Sequence, residues 1–278
     1  MDRAELTHQT QSKYSIELLD IVKEFSTADG RGRLRVIDGL TIRVKSGSFS
    51  VIIGPSGCGK STLLNIVSGI STVEKGRIVV DGYDIVNNPS FKRKIGYVFQ
   101  SPRLLEWRTL KENVIFALNA VGNTPKEQWD EIAERYLKLV GLDGFINYYP
   151  LQVSGGMQQR AAIARAFAIK PEILLMDEPF SHLDEITAET MRNELIRIWS
   201  TEGERKTVVF VTHDLREAVY MADEIFMLTP RPARLYKHYK VDVPRKLRTP
   251  ESEELFEVFK EISKDFHEMI KAESVSMK

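Results

Sequence analysis

The sequence predicts an α/β fold in which a sheet of short buried strands carries functional residues at the strand ends. The first observation is a complete glycine-rich turn at 54–59, between an apolar run at 51–53 and a helix that begins at Lys60. The second is a set of further apolar runs that each end at a polar residue, namely 95–99, 173–176 and 207–212. The third is the stretch from 101 to about 152, whose helical spacing without strand signals predicts a helical insert.

The glycine-rich turn has the residues that a polyphosphate site needs. Its sequence, GPSGCGKST, contains the pattern G-x-x-x-x-G-K-S complete. The glycines let successive backbone N–H groups point into one concavity, which side chains would block. The helix adds its unpaired N–H groups, Lys60 can reach the β and γ phosphates, and Ser61 offers a hydroxyl to Mg²⁺. The candidate nucleotide-binding residues are Gly54, Pro55, Ser56, Gly57, Cys58, Gly59, Lys60, Ser61 and Thr62.

The composition is that of an ordinary globular protein. Lysine plus arginine equals aspartate plus glutamate at 39 each in 278 residues, so no overall basic field attracts nucleic acid. Cys58 is the only cysteine, which excludes an internal disulfide, and we interpret it as a small residue that fits a tight loop. Residues 1–13 form a polar tail without the apolar core of a signal peptide, and no run of about eighteen apolar residues occurs. We therefore expect a chain that is soluble by itself.

Acidic residues and a histidine follow two of the apolar runs. Asp177 and Glu178 come at the end of the run 173–176, where Asp177 can hold Mg²⁺ through water and Glu178 can orient or deprotonate an attacking water. His213 follows the run 207–212 and could hydrogen-bond a γ-phosphate, although a lone histidine is more often structural. Gln100 ends the run 95–99, at a sheet edge where ligands usually bind.

Small residues occur at the start of a second predicted helix, at 154–156. The segment VSGGMQQR precedes an alanine-rich helix, and Ser154 is a good N-cap for it. Gly155 and Gly156 permit close approach of an anion or of another backbone. One chain therefore offers two helix-terminal phosphate sites.

The amino-terminal part predicts a strand at 14–22, followed by Phe25 and then a hairpin loop before a strand at about 40–44. The loop contains Arg31, Arg33 and Arg35, which we interpret as solvent-facing; contact with a nucleotide or a lipid head group is the alternative.

In the insert, the spacing predicts helices over 104–120 and 126–140, with Thr124 and Pro125 as the cap and first residue of the second. Later runs predict a core strand at 224–228 and an edge strand at 234–243. Thr249, Pro250 and Glu251 predict the start of a last helix with an apolar stripe. The stripe packs on this protein's own core or, as the alternative, on a partner subunit.

The motifs GPSGCGKST, Gln100, VSGGMQQR, ILLMDEP, SHLD and VTHD, in this order, resemble the nucleotide-binding subunit of ATP-binding cassette (ABC) transporters. The resemblance implies an α/β, RecA-like P-loop core at 14–100 and 155–240, with an antiparallel β subdomain. It implies a helical subdomain with the signature motif at 101–154, and a C-terminal amphipathic helix extension at 241–278.

The resemblance also implies roles for single residues. Phe25 resembles the aromatic that stacks on adenine, and Ser61, Gln100 and Asp177 the residues around Mg²⁺. The catalytic set it implies is Glu178 as base, His213 as γ-phosphate switch, and Gln100. A head-to-tail homodimer would trap two ATP, each between the phosphate loop of one chain and Ser154, Gly155 and Gly156 of the other, with Asp184 acting across the dimer. The family's usual signature leucine and glutamine are replaced here by Val153 and Met157. Ser154, Gly155 and Gly156 match the family's pattern.

A finer resemblance is to importers of nitrate, sulfonates and taurine, based on SPRLLEWRTLKENV and TPRPARL. It implies a peripheral subunit at the cytoplasmic face of the membrane, with permease subunits and an extracytoplasmic solute-binding protein as partners. Residues 103–107 would then meet the permease. The alternatives are an exporter or lipoprotein-release ATPase, and an ABC ATPase of DNA repair or translation; the neutral charge and the lack of a coiled-coil insert disfavour the latter.

Overall fold

The computed structural model describes residues 13–27, 30–85, 91, 94–181, 183–201, 206–249 and 252–276. Three sequence predictions fall partly outside this range: the polar tail, the SHLD turn at His182, and the helix start at Pro250 and Glu251.

A six-stranded sheet forms the centre of the molecule. Its strands, in spatial order, are β10 (Leu235–Lys240), β9 (Glu224–Leu228), β3 (Phe49–Ile53), β8 (Thr207–Val211), β7 (Ile173–Asp177) and β6 (Ile95–Val98). All neighbours are parallel except β10, which is antiparallel to β9. Four of the strands, β3, β7, β8 and β9, are buried along their whole length, as expected for a sheet that is covered on both faces. Parallel strands place their carboxyl ends at one edge, which is where the candidate site residues lie.

An antiparallel sheet of four strands forms a second unit. Its spatial order is β2 (Arg33–Lys45), β1 (Tyr14–Ser26), β4 (Lys75–Val80) and β5 (Tyr83–Asp84). The prediction that Arg33 and Arg35 lie in the hairpin loop was wrong, because β2 begins at Arg33. Arg35 lies opposite Glu24 in the pairing with β1 and forms ion pairs with Glu24 at 2.9 Å and Asp38 at 3.0 Å. Cross-strand charge pairing therefore extends the hairpin beyond its apolar part.

Three helices fill the stretch between β6 and β7, the second and third strands of the large sheet in chain order: α2 (Leu110–Val121), α3 (Trp129–Leu139) and α4 (Gly155–Ala168). Two predicted starts were wrong. α2 begins at Leu110, because Thr109 caps it in a capping box with Glu112. α3 begins at Trp129, because residues Lys126–Gln128 form a separate 3₁₀ turn. The prediction of a cap at Ser154 is confirmed, since its hydroxyl accepts a hydrogen bond from the Met157 N–H at 3.3 Å.

The remaining helices connect the strands. α1 (Lys60–Val67) follows the glycine-rich turn as predicted, whereas α5 (Glu185–Thr201) and α6 (Leu215–Met221) correspond to no predicted element. Two apolar clusters cover the two faces of the large sheet. Phe49, Val51 and Ile53 of β3 point into the cluster that includes the helices α2 to α6, and Ile52 points into the cluster that includes α1 and the antiparallel sheet.

The last helix, α7 (Glu253–Ser276), packs on the chain's own core as predicted. Leu255, Ile262 and Met269 of its apolar stripe are buried in the first cluster. The Ser252 hydroxyl accepts a hydrogen bond from the Leu255 N–H at 3.3 Å, so Ser252 rather than Thr249 has the capping position. Across the described residues, no helix is both long and apolar enough to cross a membrane.

Candidate nucleotide site

The phosphate loop lies at the carboxyl end of β3, between this strand and α1. Lys60 is only 5% exposed, and its Nζ donates hydrogen bonds to the carbonyl oxygens of Gly54 at 2.9 Å and Pro55 at 3.1 Å. The ammonium group is therefore held inside the loop. A phosphate oxygen bound here would be a charged acceptor and would compete with these neutral carbonyls.

The glycines of the loop meet two different requirements. Gly57 has φ of 74°, and no atom of the described residues lies within 4 Å of where a Cβ would be, so it leaves an open concavity. Gly59 has φ of 123°, and a Cβ there would lie 2.9 Å from Cγ1 of Val36 in β2. The amino terminus of α1 has no side-chain cap, which leaves its backbone N–H groups for an anion. These features fit a polyphosphate.

Asp177 ends β7 next to this loop and fits a cation site. It is 5% exposed, and its Oδ1 is buried with no hydrogen-bond partner among the described residues. Burial raises the pKa of this carboxyl, while a hydrogen bond from Ser61 and the charge of Lys60 act in the opposite direction. A buried carboxylate oxygen with no donor, beside the Ser61 hydroxyl, is the ligand set that Mg²⁺ prefers. The two residues predicted at 61 and 177 are therefore brought together.

Glu178 and His213 are in direct contact across the ends of β7 and β8. Oε2 of Glu178 lies 3.0 Å from Nδ1 of His213, and the side chains are 17% and 60% exposed. Glu178 has φ of 45°, a conformation rare outside glycine, and its N–H donates to the Val211 carbonyl at 2.9 Å. The strained backbone directs an acid and an imidazole to the same edge as the phosphate loop, an arrangement that is able to orient a water molecule.

Gln100 is exposed just beyond β6. The preceding residue, Phe99, stacks on Tyr97 with ring centroids 3.9 Å apart, and the Arg103 guanidinium lies 4.0 Å from the Phe99 ring. Gln159 of α4 is fully buried and donates from Nε2 to the Phe99 carbonyl at 3.1 Å. The segment that carries Gln100 is thus anchored on both sides.

Phe25 is 44% exposed near the end of β1, where it lies opposite Leu34 of β2, and the Lys23 ammonium lies 4.9 Å from its ring. The same β2 strand contacts Gly59 through Val36, so the hairpin that carries Phe25 borders the phosphate loop. The exposed ring is free to stack on a flat ligand.

The signature residues are open to solvent. Ser154 and Gly155 are exposed at the start of α4, and within the described part of the chain no atom lies within 4 Å of where a Cβ of Gly155 would be. Asp184 caps α5, since its Oδ1 accepts a hydrogen bond from the Thr187 N–H at 3.0 Å, and this bond is the main cause that lowers its pKa. These residues therefore present polar surface outward from the chain.

Sequence reasoning missed Asn113 and Glu217. Asn113 is 1% exposed and bonds the backbone of Leu105, Arg108 and Thr109. Glu217 is 8% exposed behind the His213 turn. The pattern D-x-x-E from Asp214 to Glu217, which is typical of a helix start, was a signal for this acid.

The fold and this edge of the sheet define a P-loop nucleoside triphosphatase. The ABC transporter family matches residues 37–181. The chain belongs to this family, as the ATP-binding subunit of an ABC transporter, and is an ATP-hydrolysing enzyme. The resemblance seen in the sequence is confirmed.

Several relatives are similar over most of the chain. An uncharacterized ABC transporter ATP-binding protein of Methanocaldococcus jannaschii, MJ0412, is 43% identical over 88% of this chain and 88% of that protein. The aliphatic sulfonates import ATP-binding protein SsuB of Bacillus cereus is 36% identical over 91% of this chain and 96% of that protein. Among solved structures, the dimeric ATP-binding cassette MJ0796 bound to ADP and Pi has a TM-score of 0.74 at 33% identity, covering 81% of this chain and 98% of that one. The similarity to sulfonate importers supports the subfamily named from the sequence.

Proposed function

We propose that this chain powers the import of a small anionic solute, of the nitrate, sulfonate or taurine type, by hydrolysing ATP as a homodimer. The observation that carries the proposal is the convergence of the phosphate loop, Asp177, Glu178 and His213 at one sheet edge, in a chain 36% identical to a sulfonate import protein. Exporters share the same ATP site, so the direction of transport rests on the relatives alone.

In the proposed mechanism, residues 54–62 and the amino terminus of α1 bind the phosphates of ATP, and Phe25 stacks on the base. Ser61, Gln100 and Asp177 would hold Mg²⁺, which when bound neutralises charge on the phosphate oxygens. The fit rests on the orphaned Oδ1 of Asp177 beside the Ser61 hydroxyl.

Glu178 then orients and deprotonates the water that attacks the γ-phosphate. The Nδ1 of His213 stands 3.0 Å from this carboxylate, which lets the imidazole hold the carboxylate in place and contact the phosphate. Positioning and electrostatics supply most of the rate, because phosphoryl transfer requires little covalent chemistry from the protein.

The exposed signature supports the dimer. Ser154, Gly155 and Gly156 form a capped helix start with open space at Gly155, and they complete the site of a second copy in this proposal. Asp184, which is also exposed, lies at the proposed dimer contact. The solved structure of the MJ0796 cassette is a dimer.

The proposed partners are permease subunits in the membrane and an extracytoplasmic solute-binding protein, with this chain peripheral at the cytoplasmic face. Trp107 is 74% exposed and Leu151 is 75% exposed, so the insert offers apolar side chains to a permease segment. Nucleic acid is not a proposed partner.

The test is affinity isolation of the tagged protein from detergent-solubilised membranes, followed by mass spectrometry. We expect an apolar multi-span permease and, with the genes co-expressed, a solute-binding protein whose ligand screen yields a sulfonate or similar anion. The variant Trp107→Ala tests the proposed permease contact: it should recover less permease than the wild type while its affinity for ATP stays unchanged. Ribosomal or DNA-repair proteins without a permease would contradict the transport function, and a permease whose complex exports would contradict import.

A further inference from the structure

Glu217 is a buried carboxylate that the proposed mechanism leaves unused. It lies in the first turn of α6 and is 8% exposed. It accepts a hydrogen bond from the Thr212 hydroxyl, and its Oε1 lies 3.6 Å from Nη1 of Arg192 in α5. A carboxylate with a hydroxyl donor and a cation in a dry setting holds both partners in one geometry.

The contact with Thr212 reaches the turn that carries His213. Thr212 is 2% exposed, and its Oγ1 also accepts a hydrogen bond from the Asp214 N–H at 3.0 Å. The hydroxyl therefore donates to Glu217 and accepts from Asp214. These two bonds fix the backbone on both sides of His213, whose own side chain is 60% exposed.

The contact with Arg192 reaches the start of α5. The Arg192 side chain is 13% exposed, and its Nη2 lies 2.6 Å from Oε1 of Glu185, the first residue of α5. Asp184 immediately precedes this residue and caps the helix. A continuous set of polar contacts thus runs from the His213 turn to the Asp184 turn through one buried ion pair.

We propose that Glu217 is a positioning residue for ATP hydrolysis: through Thr212 it holds His213 against Glu178, and through Arg192 it ties this turn to the segment of Asp184. The inference rests on the proposed function, in which His213 and Asp184 belong to the ATP site. It predicts that losing the Glu217 carboxylate slows the chemical step and leaves ATP binding intact.

The first test compares steady-state ATP hydrolysis at pH 8 for the wild type, Glu217→Gln and Tyr220→Phe. The Tyr220 hydroxyl donates to Oδ1 of Asn193 at 2.8 Å and joins the same two helices, so Tyr220→Phe is the matched control. We expect Glu217→Gln to lower kcat at least about tenfold with KM for ATP within about twofold of wild type. Tyr220→Phe should keep the wild-type kcat. A wild-type kcat in Glu217→Gln would overturn the inference.

A second variant separates positioning from stability. Replacing both partners of a buried ion pair by apolar residues usually costs little stability, so Arg192→Met with Glu217→Met should melt near the wild-type temperature. Methionine cannot accept the hydrogen bond that the Thr212 hydroxyl donates to the Glu217 carboxylate. We therefore expect kcat to stay low in this double variant. Recovery of kcat together with the melting temperature would show a merely structural role.

His213→Ala distinguishes the failure of this inference from failure of the proposed function. If His213→Ala keeps the wild-type kcat, the proposed role of His213 is wrong and the inference falls with it. If His213→Ala loses activity while Glu217→Gln retains it, only the role of Glu217 is overturned.

Discussion

Lys60 donates to two carbonyl oxygens of its own loop, and these contacts hold its ammonium where the phosphates of ATP would bind. Lys60→Ala removes a charge-assisted hydrogen bond that is worth about 1.5–3 kcal/mol, so we expect ATP affinity to fall about 10-fold to 150-fold. Isothermal titration with ATP measures this. Lys111→Ala is the control, because Lys111 forms surface ion pairs with Asp130 and Glu134. Equal affinities for the two variants would contradict our interpretation of the loop.

Glu217 also makes stability depend on pH. Burial raises the pKa of this carboxyl from 4.5 to about 7, and its hydrogen bond from Thr212 and the charge of Arg192 only partly oppose this, while nearby Asp214 adds to it. The folded state therefore holds a proton that the unfolded state releases, and stability falls as pH rises between these values. The contribution is about 3 kcal/mol, lost by about pH 8. Urea unfolding at pH 5 and pH 8 should show this loss in wild type but not in Glu217→Gln, and equal pH dependence in both would contradict it.

The residues of the site differ in how far the sequence could predict them. The loop at 54–62 and the two acids at the end of β7 are local patterns, so their chemistry could be deduced from neighbouring residues alone. The contact of Glu178 with His213 joins residues far apart in sequence and depends on β7 lying beside β8. That adjacency is a property of the sheet order, which local spacing does not encode.

The segment before α2 shows tertiary contacts overriding periodicity. Residues 104–109 have helical spacing, yet the chain turns there because Asn113 bonds three backbone carbonyls, those of Leu105, Arg108 and Thr109, and accepts the Leu105 N–H at 2.7 Å. An amide side chain that satisfies so many backbone groups competes with a regular helix.

Asn113→Ala should remove these side-chain hydrogen bonds, including the one that the buried amide oxygen accepts from the Leu105 N–H, and lower the free energy of unfolding by about 1–3 kcal/mol. We also expect faster hydrogen exchange at the Leu105 amide, which mass spectrometry of this segment measures. Asn119→Ala, on the same helix at an exposed position, is the control and should change neither quantity. Unchanged protection of Leu105 would contradict the role of Asn113.

Other elements were predictable to different degrees. The strand predicted at 224–228 has the bounds of β9, because the short apolar run after Glu224 ends at Thr229 and Pro230, and proline does not continue a central strand. α5 was missed although Ala188, Met191, Leu195 and Trp199 recur at helical spacing and are all buried. α6 is too short for periodicity to identify it.

α7 packs on the chain's own core, and the loss of stability on shortening its buried side chains tests this packing. Ile262 is fully buried, so Ile262→Ala should lower the free energy of unfolding by about 2–5 kcal/mol. Ile270 is 37% exposed on the same helix, and Ile270→Ala should cost less than about 1 kcal/mol. Denaturant unfolding of both variants gives the comparison. Equal costs would mean that α7 packs elsewhere.

For the whole molecule, the α/β class, the helical insert and the family could be predicted, because each rests on motifs in a fixed order. The second antiparallel sheet followed from the family resemblance. The extent of this sheet could not be predicted from the resemblance. Strand β2 continues past its apolar part because Arg33 and Arg35 form cross-strand ion pairs with Glu24. The transported solute could not be predicted, because partner proteins rather than this chain would bind it.

The central claim is that two copies of the chain form a closed dimer around ATP. Glu178 is the base for ATP hydrolysis, and hydrolysis lets the dimer open again. Glu178→Gln keeps the size of the side chain but removes the base, so hydrolysis should fall at least about 100-fold while ATP still binds.

The measurement that tests this most directly is the mass of Glu178→Gln in solution with and without MgATP, by light scattering after size exclusion. We predict a monomer without nucleotide and a dimer holding two ATP with it, and loss of that dimer when Ser154→Arg is added at the exposed signature. A protein that binds MgATP and remains a monomer, or a dimer indifferent to Ser154→Arg, would contradict the account.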